Sequence, residues 1–186
     1  MDVDEIAARL SMQKPAPALR GHKAAVMALL VPDATGTLFV PFTRRSYRLK
    51  VHPGEISLPG GRWDPADGDA LEQTALRELQ EELGVDPSRV RVLGRLPDVS
   101  TVVSGFAVAP FIGYLSERQP WVCSDSEVEA IIEVPFGQLL RPGAVRYGTK
   151  VIRGHEHNVI VFDYGAHHIW GATGRILKRL VEALCP

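Results

Sequence analysis

The sequence predicts a mixed α/β fold of the α+β type. Three observations predict it. Apolar runs of strand length recur along the chain, beginning with residues 23–31. Leu76, Leu79 and Leu83 recur at helical spacing in a stretch that Gly84 closes, and Ile176, Leu177, Leu180, Val181 and Leu184 repeat the pattern near the C-terminus. The chain has 186 residues, 45% of them hydrophobic, which suits one globular domain.

In chain order, residues 4–10 read as a short amphipathic helix ended by Pro15 and Pro17. Residues 23–31 and 37–43 read as two strands joined by the turn at 32–36, a hairpin. A basic loop, 44–52, follows. A helix is expected over 70–83, with Asp69-Ala70-Leu71-Glu72 as its capping box and Gly84 as its left-handed end. Strands are expected at 90–96 and 106–115, with a turn-rich loop at 97–105 as a wall of a cleft. Polar residues 124–129 lead into an apolar run at 130–134, then a short helix at 135–140. Strands at 149–152 and 158–163 flank a hairpin loop at 153–157, and Thr173 is positioned to cap the last helix, whose apolar stripe reads as core packing.

Composition excludes several roles. The formal net charge is −1, so nothing pulls the whole chain toward nucleic acid or an anionic membrane. No apolar run spans a bilayer, and residues 1–20 carry acids but no apolar signal core. The two cysteines, Cys123 and Cys185, fit a reduced cytoplasmic setting. His155-Glu156-His157 lacks the spacing of a helical zinc motif, so it and the pair His167-His168 read as surface histidines; Gly171-Ala172-Thr173-Gly174 lacks the Lys-Ser/Thr ending of a P-loop.

The chemistry gathers on Glu78, Glu81 and Glu82. At i, i+3 and i+4 of a helix, Glu82 lies about 40° and Glu81 about 60° around the axis from Glu78. Like charges that close destabilise an isolated helix. A solvated acidic face is the plain explanation; a divalent cation is the functional one, since Mg2+ takes carboxylate oxygens and completes its octahedron with water and phosphate.

Arg77-Glu78-Leu79-Gln80-Glu81-Glu82-Leu83-Gly84-Val85, with Pro59-Gly60-Gly61 upstream, resembles the Nudix box. The box has five residues between its last Gly and an acidic residue, and seven more before the Arg. Asp69 has the seven intervening residues before Arg77, but seven rather than five residues between it and Gly61. A second resemblance is to the coenzyme A pyrophosphatase branch of that family. It is carried by Thr43, Arg45, Ser46, Gly54 and Pro59-Gly60-Gly61 at ungapped spacing, with Pro41, Phe42, Lys50 (for the pattern's second Arg) and Leu58 as departures. Residues 104–110 and 169–173 are also similar to that branch.

The resemblance implies a Nudix α/β/α sandwich, a mixed sheet between helices, over residues 21–186, preceded by an N-terminal extension, 1–20. It implies a hydrolase that uses Mg2+ or Mn2+ to cleave coenzyme A or its derivatives into 3′,5′-ADP and 4′-phosphopantetheine. Metal ligands would be Glu78 and Glu82, with Glu81 as a second-metal or water-mediated ligand and Gly61 through its carbonyl. Arg77 would orient a glutamate or its loop. The general base would be one of these glutamates or the distal acid Glu127, whose plain reading is a solvated loop acid. Arg44, Arg45, Ser46, Lys50, Gly60 and Gly61 would bind substrate, because Arg donors suit phosphate and glycines allow close backbone approach. Other enzymatic readings are ADP-ribose, NADH or a nucleotide sugar. A non-catalytic nucleotide sensor is the reading from outside enzymes, opposed by retention of all three glutamates. A homodimer is compatible with the sequence.

Overall fold

The computed structural model describes residues 1–13, 20–101, 105–124, 126–152 and 154–185. Asp2 accepts the Glu5 amide and so opens helix α1 (Val3–Ser11), whose Ile6 and Leu10 enter the core. The prolines expected to end it lie outside the described residues. Strands β1 (His22–Pro32) and β2 (Leu38–Arg45) form the expected hairpin. Asp33 Oδ1 accepts the amides of Thr35 and Thr37 at 2.8 and 2.9 Å and fixes the turn.

The hairpin holds over two rungs only, Val31↔Phe39 and Pro32↔Leu38, and its strands then diverge. The wedge between them is filled by two short strands, β3 (Ile56–Ser57) on β2 and β4 (Gly60–Arg62) on β1. Met27 donates its amide to Pro59 O at 2.9 Å, which draws the intervening turn into the sheet. The far edge of β1 runs parallel to β7 (Phe106–Leu115). β7 in turn carries β5 (Val90–Arg95) and the two-residue β6 (Val99–Ser100), both antiparallel. β8 (Val128–Pro135) lies antiparallel along β2. The sheet is therefore mixed, as the resemblance implies.

Burial on β1 alternates between two cores. Ala25, Met27, Leu29 and Val31 pack beneath helix α2 (Leu71–Leu83), against Ala75, Leu76, Leu79 and Leu83. Ala24, Ala28 and Leu30 face the opposite side, where α1 and helix α4 (Gly171–Leu184) contribute Ile6, Leu10, Ile176, Leu177 and Leu180. A strand covered on both faces reads as a continuous apolar run. This is a helix–sheet–helix sandwich. After the short helix α3 (Phe136–Leu140), a second sheet of β9 (Val145–Ile152), β10 (His155–Tyr164) and β11 (His167–Ile169), in the order β11-β10-β9, lies beneath α4. Among the described residues no helix is long and apolar enough to cross a membrane.

Three expectations are corrected. β9 and β10 pair from Val145↔Phe162 to Ile152↔His155, so His155–His157 belong to a strand rather than a five-residue loop. Ala70, not Asp69, is the N-cap of α2 and makes no side-chain cap bond. Trp170 is the N-cap of α4; Thr173 lies inside the helix, buried, and does not cap it.

Candidate active site

Packing of Leu79 and Leu83 against β1 sets the roll of α2 and turns Glu78 and Glu82 toward the wedge between β1 and β2. Gly84, in the left-handed conformation at φ 69°, stops the helix one turn later. Gly61 lies directly opposite Glu78: a Cβ there would come within 2.3 Å of Glu78 Oε1 and 2.6 Å of Oε2. Gly60 presses on β1, where a Cβ would meet Ala25 O at 2.3 Å and Val26 Cα at 2.6 Å. Both glycines are therefore required by close approach, one to a carboxylate and one to backbone.

The three glutamates do not share one environment. Glu82 is buried, 5% exposed, and the Glu78 side chain is 13% exposed, whereas that of Glu81 is 58% exposed. Arg77 explains the difference. Its Nη1 donates to Glu78 Oε1 at 2.9 Å and to Glu81 Oε2 at 3.1 Å, holding Glu81 outward. Its Nη2 donates to Arg62 O at 2.9 Å, which ties the helix to the glycine strand. Its Nε and Nη2 also grip Asp67, at 2.8 and 3.2 Å.

Asp67 is the residue that the sequence reading missed. Its Oδ2 also accepts from Thr74 Oγ1 at 2.8 Å and from the Asp64 amide at 3.1 Å. Arg77 above all, with these further bonds, holds its carboxyl down at about 2. Five residues separate Gly61 from Asp67, and nine separate Asp67 from Arg77. The two extra residues thus follow the acid rather than precede it. Counting forward from Gly61, instead of back from Arg77, finds it.

Burial pushes the Glu82 carboxyl up to about 8, and the charges of Glu78 and then Glu127 add to the push; a Thr43 hydrogen bond and the charge of Arg45 oppose it. Burial also raises Glu78, against the pull of Arg77, with Glu81 and Glu127 raising it further. Glu127 is therefore within electrostatic reach of both inner glutamates, as the distal-acid reading requires. Thr43, which the sequence marks only as part of the resemblance and not as a site residue, is 2% exposed on β2.

Among the described residues, Glu82 Oε2 and Arg45 Nε are buried here with no hydrogen-bond partner. An orphaned carboxylate oxygen costs free energy unless something fills it. Hard oxygen donors from Glu78 and Glu82, facing a glycine where no side chain fits, suit a divalent cation. Among the described residues no three ligating side chains close around one point. Magnesium needs only a few protein oxygens, because water and phosphate complete its shell.

The basic segment divides. Arg44 and Arg45 are strand residues of β2 with a bulge between them, not loop residues. Arg45 acts on Glu82, whereas Arg44 Nη2 contacts His167 Nδ1 at 2.8 Å in the second sheet. Ser46 is 2% exposed; its amide donates to Glu127 O at 2.8 Å, and its Oγ accepts the Arg48 amide at 3.3 Å. It shapes the turn and ties it to Glu127. Lys50 is exposed. His168 Nδ1 meets Asp163 Oδ1 at 2.5 Å and is 62% exposed, a surface histidine with a partner.

A profile of the NUDIX domain matches residues 21–153. Two relatives, both named Uncharacterized Nudix hydrolase NudL and found in Salmonella paratyphi B and Salmonella heidelberg, are each 34% identical over 183 residues. Each match covers 97% of this chain and 93% of the relative. Among solved structures, a MutT/nudix family protein from Enterococcus faecalis has a TM-score of 0.59 at 16% identity, covering 96% of this chain and 68% of its own. A C. elegans Ap4A hydrolase binary complex has a TM-score of 0.52 at 19% identity, covering 64% of this chain and 83% of its own. These structural likenesses are likenesses of fold.

Proposed function

This chain belongs to the Nudix family of pyrophosphohydrolases, and from that premise we propose that it cleaves the diphosphate of coenzyme A or its derivatives to 3′,5′-ADP and 4′-phosphopantetheine. The observation that carries the reading of the reaction is buried Glu82 with an unpaired oxygen, one helical turn from Glu78, which faces Gly61. Nudix hydrolases use divalent metal ions, and we assign Mg2+ or Mn2+ to Glu78 and Glu82, with the Gly61 carbonyl as a further donor. The cation, when bound, neutralises diphosphate charge and lowers the pKa of a bound water.

The remaining roles belong to the chain's own groups. Arg77 holds Glu78 and the glycine strand in register through Asp67 and Arg62. Glu81 stands at the outer rim, suited to a water-mediated or second-metal contact. Glu127 or one of the box glutamates takes the proton of the attacking water. Arg45, with its unpaired Nε beside Glu82, offers a donor to a phosphate oxygen.

The preference for coenzyme A is supported by the ungapped basic segment running into Pro59-Gly60-Gly61. A second reading is a diphosphate without a 3′-phosphate, such as ADP-ribose, NADH or a nucleotide sugar. It is favoured by the exposure of Lys50. Product analysis with coenzyme A, ADP-ribose and NADH in parallel, with Mg2+ or Mn2+, decides between them. Release of 3′,5′-ADP fastest from coenzyme A supports the first reading. Faster turnover of ADP-ribose or NADH supports the second.

A further inference from the structure

A second concave surface lies apart from the glutamates. A cleft of about 420 Å³ opens between the basic segment, at Arg44, Tyr47 and Glu55, and the second sheet with its following turn, at Lys150, His167 and Trp170. Two cations line it without acidic partners. Arg77, Arg89 and Arg118 each meet a carboxylate, whereas among the described residues Arg44 and Lys150 meet none within ion-pair distance.

Each cation is held in place without being neutralised. Arg44 Nη2 lies 2.8 Å from His167 Nδ1. A guanidinium only donates, so Nδ1 accepts and the ring proton sits on Nε2. Lys150 Nζ lies 3.9 Å from the centroid of the Trp170 ring, a cation–π contact that leaves its charge available. The cleft's own carboxylate, Glu55, is engaged by His52 at 3.0 Å. The second histidine lining the cleft, His168, is engaged by Asp163.

Two uncompensated cations flanked by the rings of Tyr47 and Trp170 complement an anion carried on an aromatic base. Inorganic phosphate would use the charges but not the volume or the rings; an uncharged nucleoside would use the rings but not the charges. Position links the cleft to the chemistry. Arg44 stands on β2 between Thr43 and Arg45, the two residues that act on Glu82, and leaves the strand on its other face toward His167, so the cleft and the glutamates flank the same strand.

We propose that this cleft is the subsite for a phosphate monoester borne by the substrate's nucleoside. Arg44 and Lys150 are its anion contacts, and His167 positions Arg44. The inference rests on the coenzyme A reading above, in which that monoester is the 3′-phosphate.

The deciding experiment needs no turnover. The metal-free full-length protein is titrated calorimetrically with adenosine 3′,5′-bisphosphate and with adenosine 5′-monophosphate. The bisphosphate should bind about tenfold tighter, because the extra phosphate gains charge-assisted hydrogen bonds. Lys150→Ala should remove that difference and Lys150→Arg should restore most of it. In turnover, Lys150→Ala should narrow the KM preference for coenzyme A over dephospho-coenzyme A. Equal binding of the two nucleotides by the wild-type protein, or an undiminished difference in Lys150→Ala, overturns the subsite. Absence of coenzyme A cleavage together with a Lys150-dependent bisphosphate preference overturns the diphosphatase reading instead and leaves the subsite standing.

Discussion

Arg77 clasps Asp67 with two hydrogen bonds, Nε to Oδ1 at 2.8 Å and Nη2 to Oδ2 at 3.2 Å. The Asp67 side chain is only 4% exposed, so the pair is protected from water and salt on the acid's side. Through it, the turn after the glycine strand is fastened to the helix that carries the glutamates.

Asp67→Asn should lower stability by about 1–3 kcal/mol, the cost of weakening hydrogen bonds to a charged group. The pH dependence has a definite sign. Asp67 is held at about 2 by Arg77 first, below its ordinary 3.8. Its contribution is present above the unfolded value and lost as pH falls through about 2. Denaturant melts of wild type and variant should therefore differ at neutral pH and converge in strong acid.

The two glycines should fail differently. At Gly61 an added Cβ meets the end of the Glu78 side chain, which can swing aside; at Gly60 it meets the backbone of Ala25 and Val26, which cannot. Gly61→Ala should keep a near-wild-type melting temperature while losing about tenfold or more in kcat, about 1.4 kcal/mol in the barrier. Gly60→Ala should instead lower the melting temperature or the soluble yield. Thermal melts and steady-state rates on both variants separate the two effects.

Much of this was legible in the sequence because periodicity and spacing are local. The leucine spacing of α2 and α4, the left-handed Gly84 and the strand at 106–115 all follow from residues close in the chain. What escaped depends on distant residues. The splayed hairpin, with β3 and β4 filling it, comes from pairing that no local pattern records. Asp67 escaped because two additional residues shift the count, and the Asp64–Asp67 turn replaced the expected Asp69 cap. The separation of Arg44 from Arg45 follows from their places on a strand, where neighbours point to opposite faces. His167, which receives Arg44, lies more than a hundred residues away.

Glu82 gives the metal-free protein an inverted pH profile. Burial, followed by the charge of Glu78, lifts its carboxyl from 4.5 to about 8. A raised folded value means that the stability is fully present below 4.5 and is lost as pH rises through about 8. Without metal, the protein should melt at a higher temperature near pH 6 than near pH 9, and Glu82→Gln should flatten that slope. Magnesium affinity should rise over the same window, because the cation replaces a proton.

Glu127 adds charge to both inner glutamates. Glu127→Gln removes a like charge and so lowers the Glu82 value, which should move the alkaline loss of stability in metal-free protein to lower pH. Melting curves across neutral to alkaline pH on wild type and Glu127→Gln measure the displacement, and no displacement would place Glu127 outside the site.

The most direct test is the rate of 3′,5′-ADP release from coenzyme A with Mg2+, compared between wild type and Glu82→Gln of equal foldedness by circular dichroism. Loss of a carboxylate that bears the metal should lower the rate by about a hundredfold or more, on the order of 3 kcal/mol in the barrier. A variant that released 3′,5′-ADP at the wild-type rate would contradict the account, because the buried carboxylate with the unpaired oxygen would then have no part in the chemistry.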